Sequence, residues 1–205
     1  MEYKWLNRKN NEKVIIFFNG WGMDEHIVSD MKVTDFDVLM FYDYNNLNTD
    51  FDFRTLDCYK EKNLVAWSMG VMIATLFKKY LEPLNNKTAV NGTLKPIDPK
   101  FGINPRIYDL TIRGFNEAGR AKFIKNMFDS EEAELPKVSR TLENQKSELS
   151  AIKEYSADLT FEYDKVFISD NDKIIPTKNQ CAYWNQEPNI QGGHCARFRS
   201  WGELV

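Results

Sequence analysis

The hydrophobic and polar positions along the chain predict strands that alternate with helices at both ends of the sequence. Several short segments combine apolar runs with flanking turn residues, as strands do. They are YKWLNR (3–8), VIIFFN (14–19), FDVLMFYD (36–43), NLVAW (63–67), KTAVNGT (87–93), DKVFIS (164–169) and PNIQGG (188–193). The continuous apolar run VIIFF is typical of a central strand that is buried on both faces. The alternation predicts an α/β fold, with a mostly parallel central sheet and helices on both faces.

The predicted helices fall between these strands. A short helix begins at Asp24, a buried helix covers 69–81, and a third covers about 177–186. The middle of the chain has no strong strand and carries apolar residues at helical spacings: Leu135, Val138, Leu142, Leu149 and Ile152. We therefore predict one domain, 1–205, with a helical lid insertion at about 105–157 over the ligand crevice of the sheet.

Composition supports one globular domain and excludes several classes of function. The chain has 205 residues and a formal net charge of −3, which does not suit nucleic-acid binding. No apolar run reaches the roughly 18 residues of a membrane span, and the first residues lack the apolar core of a secretory signal. Cys58, Cys181 and Cys195 are too widely spaced for a metal-type motif. We expect a cytoplasmic protein without metal or cofactor, and without nucleic-acid or membrane partners.

The stretch LVAWSMG (64–70) places Ser68 between a predicted strand and a predicted helix. A nucleophile on such a turn needs small residues two positions before and after it, and here these are Ala66 and Gly70. The alternative is a serine that caps the following helix. Residues 66–70 alone support the nucleophile and the helix-cap interpretations equally.

A serine nucleophile needs a base, and the base needs a carboxylate. His194 follows two glycines in IQGGHC, whereas His26 lies at a polar helix start and is expected to be exposed. Asp170 and Asp172 in SDNDKIIP follow a late strand and precede His194, as the chain order of such sites requires. The alternatives are a surface histidine and a turn with solvated carboxylates. The residues themselves do not separate the two aspartates.

Acyl transfer also needs two backbone N–H groups that bind the developing oxyanion. The residue after the nucleophile, Met69, supplies one in sites of this kind, and a glycine-containing loop after an early strand supplies the other. FFNGWGMD (17–24), with Gly20 and Gly22 around Trp21, fits that loop. An ordinary glycine-rich turn is the alternative, but the order of loop, serine, acid and base favours an acyl hydrolase.

The motifs FFNGWGMD, LVAWSMG, VNGT, SDNDKIIP and GGHC together resemble the α/β-hydrolase superfamily. Within it they resemble the BioG-type pimeloyl-[acyl-carrier protein] methyl ester esterases of biotin synthesis, over about 14–201. The resemblance implies a serine carboxylesterase that removes the methyl group from the ω-carboxyl of the carrier-bound pimeloyl chain. It implies an acyl-carrier protein as partner and no cofactor.

The resemblance also implies roles for individual residues. Ser68 resembles the nucleophile and His194 the base. Related esterases place the acid in an Asp-x-x-[Val/Ile]-Pro segment, which in DKIIP favours Asp172 over Asp170. Asn19 stands where many relatives have a histidine before the oxyanion glycine.

Further implied roles concern the oxyanion and the acyl chain. The backbone N–H groups of Trp21 and Met69 resemble the oxyanion donors, and the side chains of Trp21 and Trp67 are expected to line the acyl channel. Phe115 and Phe123 are expected to bind substrate or pack beneath the lid.

An acidic carrier protein calls for a positive docking surface. Basic residues concentrate in 113–125 and after the predicted base: Arg113, Arg120, Lys122, Lys125, Arg197 and Arg199. The alternative for these residues is an ordinary solvated helix face.

Two other functions stay open from the sequence. The same machinery cleaves thioesters and small esters, so an acyl thioesterase or a general esterase is the first alternative. A non-catalytic hydrolase fold that only binds acyl-carrier protein is the second.

Overall fold

The computed structural model describes residues 1–33, 35–128, 138–196 and 198–205. These residues form a six-stranded sheet with the order β1-β3-β2-β4-β5-β6. Its strands are β1 Glu2–Asn7, β2 Lys13–Phe18, β3 Phe36–Tyr42, β4 Glu61–Trp67, β5 Asn86–Val90 and β6 Lys165–Phe167. β1 runs antiparallel to β3, and the other neighbouring strands are parallel. The predicted mostly parallel sheet is confirmed, and β3 lies between β1 and β2.

The helices follow the alternation that the sequence predicts. They are α1 Gly70–Thr75, α2 Lys78–Leu81, α3 Pro105–Gly114, α4 Glu117–Met127, α5 Leu142–Ile152 and α6 Thr177–Trp184. Short 3-10 helices cover Glu25–Val28, Phe53–Cys58 and Trp201–Leu204. Helices α3, α4 and α5 lie between β5 and β6, where the sequence predicts an insertion. Within the described ranges, no helix is long and apolar enough to cross a membrane.

Both faces of the sheet are buried. In β2, Val14, Ile16 and Phe18 belong to one apolar cluster, and Ile15 and Phe17 belong to a second cluster on the opposite face. Side chains of a strand alternate between its two faces, so two clusters require cover on both sides. This burial explains why β2 is apolar without interruption and why it lies inside the sheet.

The predicted helix over 69–81 is divided into α1 and α2. The hydroxyl of Thr75 donates to the carbonyl oxygen of Met72 at 2.7 Å, and the N–H of Leu76 donates to the Ile73 carbonyl three residues back. Both hydrogen bonds tighten the last turn of α1 and end it. All residues of α1 are buried, as its apolar sequence predicts.

The prediction of a strand at 188–193 is wrong. The segment makes only one isolated bridge, between Ile190 and Ser169. The chain then turns at Gly192, where φ is +116°. Residues other than glycine rarely adopt this conformation. The turn removes the segment from the sheet and leads directly to His194.

The amphipathic pattern in the middle of the chain covers more than its helix. Helix α5 begins at Leu142 because the side chain of Thr141 accepts a hydrogen bond from the Asn144 N–H and caps it. Val138 precedes the helix, and Leu135 lies outside the described residues. The pattern therefore predicts the helix correctly but places its start too early.

Gly70 allows α1 to pass close to the end of β2. A Cβ atom at this position would lie 2.3 Å from the carbonyl oxygen of Phe18 and 2.6 Å from that of Asn19. Both contacts involve backbone atoms, which cannot rotate away as a side chain can. The close approach sets the position of the turn between β4 and α1.

We expect Gly70→Ala to lower the free energy of unfolding by about 3 kcal/mol, because the added methyl group forces α1 away from β2. The matched control is Gly114→Ala, since a Cβ there meets no atom within 4 Å. This control should be neutral or stabilising by less than about 1 kcal/mol. Urea unfolding of both variants measures the difference, and equal effects would contradict the proposed packing role of Gly70.

Candidate active site

Ser68 lies at the sharp turn between β4 and α1. Its φ is +58°, which is unusual for a residue other than glycine, and its N–H donates to the Val90 carbonyl oxygen at 2.9 Å. Met69 occupies the N-cap position of α1, and no side chain caps this helix. The helix-capping interpretation of Ser68 is therefore wrong. A strained serine between a buried strand and a buried helix is the backbone arrangement of a nucleophile elbow.

The structure brings Ser68, His194 and Asp172 together. His194 Nε2 lies 2.7 Å from Ser68 Oγ, and His194 Nδ1 lies 2.7 Å from Asp172 Oδ2. All three residues are buried, and His194 is only 1% exposed. A hydroxyl bonded to an imidazole that is itself oriented by a carboxylate is the geometry of an activated serine.

Asp172 is held by further donors that the sequence did not reveal. Its Oδ1 accepts from the N–H groups of Ile174 and Ile175 at 2.8 and 3.0 Å. Its Oδ2 also accepts from Gln180 Nε2 on α6 at 2.8 Å. These bonds, together with that to His194, hold the carboxylate in one orientation. Gln180 is completely buried, but a glutamine within a short helix gives no sequence signal of this contact.

Asp170 has a different place in the site. It is exposed, and its Oδ1 accepts from the Gly192 N–H at 2.9 Å. The structure therefore brings Asp172, and not Asp170, to the imidazole of His194. Asp170 anchors the loop that carries His194 instead.

The backbone of His194 is fixed by two side chains from neighbouring strand ends. Its carbonyl oxygen accepts from Trp67 Nε1 at 3.0 Å and from Asn91 Nδ2 at 2.8 Å. The ring of Trp67 lies 5.4 Å from that of His194. Trp67 thus supports the predicted base, and its contact with an acyl chain stays a prediction. Asn91 was not identified from the sequence.

The two predicted oxyanion donors are available. No acceptor within the described ranges forms a hydrogen bond with the backbone N–H of Trp21 or Met69. In contrast, the N–H groups of Gly20 and Gly22 donate to buried side-chain oxygens at 2.8 and 2.9 Å. In the loop after β2, the Trp21 N–H is therefore left for a ligand while its two neighbours are engaged.

Buried polar groups hold this loop in place. Asn19 Oδ1 accepts from the Gly20 N–H, and Asn19 Nδ2 donates to the Asp24 carbonyl at 3.1 Å. The hydroxyl of Tyr44 donates to the Asn19 carbonyl at 2.8 Å. Burial raises the pKa of Tyr44 well above its usual value, so its hydroxyl stays a donor. Asn19 thus holds the loop through its side-chain amide.

An aromatic cluster adjoins the same loop. The indole of Trp21 packs edge-on against Phe115 at 5.3 Å and against Phe123 at 4.7 Å between ring centroids. Phe115 follows α3 and is buried, and Phe123 lies in α4 and is partly buried. The structure brings these predicted substrate-binding side chains together, and their contact with substrate stays a prediction.

The predicted basic docking residues divide into two groups. Among the residues in 113–125, the exposed members are Arg113, Lys122 and Lys125. Arg120 is less available, because its guanidinium donates to the Arg140 carbonyl oxygen at 3.2 Å. Arg199 is exposed, whereas Arg197 lies outside the described residues. Arg120 is therefore less available to a partner than the exposed Arg113 and Lys122.

One group of side chains has the composition of a metal site. Asp24, Glu25 and His26 offer ligand atoms within 4.8 Å of one another. The Asp24 carboxylate, however, accepts from the N–H and hydroxyl of Ser139 and lies beside His26 Nδ1, while Glu25 binds Lys4. These internal partners explain the group without a metal ion. His26 is half-exposed, as its polar surroundings predict.

Comparison with solved structures defines the class of the fold. The chain superposes on MenH from S. aureus over 95% of its length and 90% of that chain, with a TM-score of 0.56 and 14% identity. It superposes on a thermophilic esterase from Thermogutta terrifontis over 94% of its length and 86% of that chain, with a TM-score of 0.62 and 13% identity. The fold is that of the α/β-hydrolases.

A more specific likeness covers the whole chain. The family model described as pimeloyl-ACP methyl esterase BioG matches residues 1–203. The crystal structure of BioG from Haemophilus influenzae superposes with a TM-score of 0.87 and 32% identity, over 100% of this chain and 99% of that one. The chain belongs to the BioG family.

A curated relative has a longer chain. The malonyl-[acyl-carrier protein] O-methyltransferase of Bacteroides fragilis is 37% identical over 195 residues. The match covers 89% of this chain but only 39% of that protein. The chain therefore corresponds to less than half the length of this relative.

We expect Asp172→Asn to lower kcat for ester hydrolysis by about 10⁴-fold, because the amide cannot both accept from and orient His194 as the carboxylate does. Asp170→Asn is the matched control. Its exposed side chain can still accept from Gly192, so kcat should stay within about threefold of wild type. Steady-state kinetics on a small soluble ester measure both, and a larger loss in Asp170→Asn would reverse the assignment of the acid.

Proposed function

We propose that this protein is a serine esterase that hydrolyses the methyl ester of a pimeloyl chain on acyl-carrier protein and releases methanol. The observation that carries the proposal is the hydrogen-bonded line of Ser68, His194 and Asp172, with 2.7 Å at each step. The N–H groups of Trp21 and Met69 complete the set of groups that acyl transfer requires.

In the first half of the reaction, Ser68 Oγ attacks the ester carbonyl carbon while its proton passes to His194 Nε2. The carbonyl oxygen becomes an oxyanion and accepts hydrogen bonds from the Trp21 and Met69 N–H groups. Asp172 stabilises the positive imidazolium that forms on His194. The bond to the methoxy oxygen then breaks, and His194 returns the proton to this oxygen so that methanol leaves.

In the second half, water attacks the acyl group on Ser68. His194 takes one proton from the water, and the oxyanion forms again in the same place. The bond between the acyl carbon and Ser68 Oγ breaks, and His194 gives the proton back to the serine. The products are the free carboxyl group on the carrier-bound chain and the regenerated enzyme.

Two comparisons support the choice of substrate. The matched family is described as a pimeloyl-ACP methyl esterase. The B. fragilis relative is named for methyl transfer to a carrier-bound acid, which produces the kind of bond that an esterase of this proposal removes. An acyl thioesterase is the second candidate, because the same nucleophile and oxyanion donors would cleave a thioester.

We propose that a long acyl chain binds between Ser68 and the helices α3–α5. We place helices α3–α5 as a lid within a single domain, with the aromatic cluster of Trp21, Phe115 and Phe123 against the chain. Trp67 would border the same channel on the side of His194. A cytoplasmic location suits both the carrier protein and the cysteines Cys58, Cys181 and Cys195, whose sulfur atoms are not joined in disulfides.

We expect Ser68→Ala to lose at least about 10³-fold in methanol release from pimeloyl-carrier methyl ester, because no other group replaces the nucleophile. Its thermal melting should match wild type, since alanine meets the same backbone strain at this turn. A fluorophosphonate probe should label the wild type and not Ser68→Ala. Intact-mass analysis of the carrier substrate measures hydrolysis, and turnover by Ser68→Ala would exclude this nucleophile.

The thioester alternative is tested on the same wild-type enzyme. We expect kcat/KM for the carrier-linked methyl ester to exceed that for a simple acyl thioester. A preference for the thioester would replace the proposed activity while keeping the serine mechanism.

We expect the double variant Arg113→Glu/Lys122→Glu to lower kcat/KM on the carrier-linked ester by about tenfold at low salt, because charge reversal opposes an acidic partner. Hydrolysis of a small neutral ester should be unchanged. Lys165→Glu is the matched control, because Lys165 is exposed at the amino end of β6, away from the carboxyl ends that carry Ser68 and Asp172. Equal losses on both esters would argue against docking at α3 and α4.

A further inference from the structure

A buried carboxylate in α5 has no part in the steps described above. Glu148 is completely buried, and both of its oxygens accept hydrogen bonds from N–H donors. Its Oε1 accepts from the Tyr44 backbone at 2.7 Å, and its Oε2 accepts from the Gly22 backbone at 2.9 Å. Arg140 Nη1 donates to the same Oε2 at 2.7 Å. The carboxylate therefore ties α5 to the ends of both β2 and β3.

A buried charge of this kind is costly to keep. Burial raises the pKa of Glu148, while Arg140 and the backbone donors Tyr44 and Gly22 oppose that rise. Arg140 is itself buried, and its Nη2 lies 3.1 Å from Asp43 Oδ1. Buried ion pairs are often no more stabilising than apolar side chains of the same volume. The pair is therefore better explained by what it holds in place than by its contribution to stability.

What it holds is the loop that carries the Trp21 N–H. Besides the Gly22 N–H bound by Glu148, the Gly22 carbonyl accepts from Gln145 Nε2 at 2.7 Å. The indole N–H of Trp21 donates to the Gln145 backbone carbonyl at 2.8 Å. Helix α5 thus contacts this loop through three hydrogen bonds on Trp21 and Gly22.

The peptide group that carries the Trp21 N–H lies between two anchored neighbours. Asn19 holds the Gly20 N–H on one side, and Glu148 holds the Gly22 N–H on the other. Gly22 has φ of +74°, in the left-handed region where glycine is favoured. Without the carboxylate, the Gly22 N–H would lose its acceptor and the loop could rotate.

We infer that Glu148 is a positioning residue for the oxyanion hole: it fixes the Gly22 N–H so that the Trp21 N–H stays aimed at the ester oxygen. The inference rests on the proposed esterase function. Its physical basis is that an oxyanion donor acts only when it is oriented before the charge develops. Glu148 does not touch the substrate, and its effect on the rate passes through the loop.

The test is Glu148→Gln. Glutamine keeps the shape but replaces one acceptor oxygen by an NH₂ group, which must then face a donor. We expect kcat for the ester and the rate of fluorophosphonate labelling of Ser68 to fall about 10²-fold, as when an oxyanion donor is lost. KM should stay within about threefold, because the substrate-binding side chains are untouched.

The matched control is Glu143→Gln, which removes an exposed carboxylate from the first turn of the same helix. It should react with ester and probe at wild-type rates. Thermal melting gives the unfolding temperature of each variant, and the rates are compared well below that temperature, where every variant is folded. A folded Glu148→Gln with wild-type kcat overturns the inference, because its role is then only structural.

If Glu148→Gln does not fold, Gln145→Met decides. This variant removes only the donor to the Gly22 carbonyl and leaves the ion pair intact. A fall in kcat of about tenfold at constant KM supports the inference, and wild-type kcat overturns it. Failure of the wild-type protein to cleave the ester or take up the probe contradicts the proposed function instead.

Discussion

The backbone turn at Ser68 determines how closely the strand ends of the site approach one another. Its φ of +58° can persist only because the surrounding backbone leaves no alternative. A Cβ on Gly70 would overlap the Phe18 carbonyl, and a Cβ on Gly92 would lie 2.4 Å from the Ser68 carbonyl oxygen. The ends of β2, β4 and β5 therefore converge within contact distance. The loop with Trp21 follows β2 and the loop with Asp172 follows β6 at this same edge of the sheet.

Sequence patterns predict the parts of this site that depend on local structure. The apolar runs predict β2 and β4 because buried central strands require them. The small residues around Ser68 permit an elbow, and the order of loop, serine, acid and base along the chain favours it. Asn91, Gln180 and Glu148 carry no such signal, because each acts on a partner that only the tertiary fold brings near. The strand predicted at 188–193 is wrong because the periodicity does not register the turn at Gly192.

The buried polar side chains of the site have two different roles. In the proposed mechanism a proton moves between Ser68 and His194 while Asp172 stabilises the imidazolium, whereas Asn19 and Glu148 hold backbone amides that stay neutral throughout. Both sets are almost fully withdrawn from water, and their hydrogen bonds are correspondingly strong. In the same surroundings, a donor or acceptor of these side chains that lost its hydrogen-bond partner would destabilise the folded protein.

The hydrogen bonds from α5 to the loop after β2 have a consequence for modularity. Here the segment Leu142–Ile152 supplies part of the scaffold that shapes the loop at Gly22. A chimera that received the helices of another hydrolase would also lose the hydrogen bonds that hold Trp21 and Gly22. Replacing α3–α5 by helices without residues equivalent to Gln145 and Glu148 would leave Ser68 intact beside a misaligned loop.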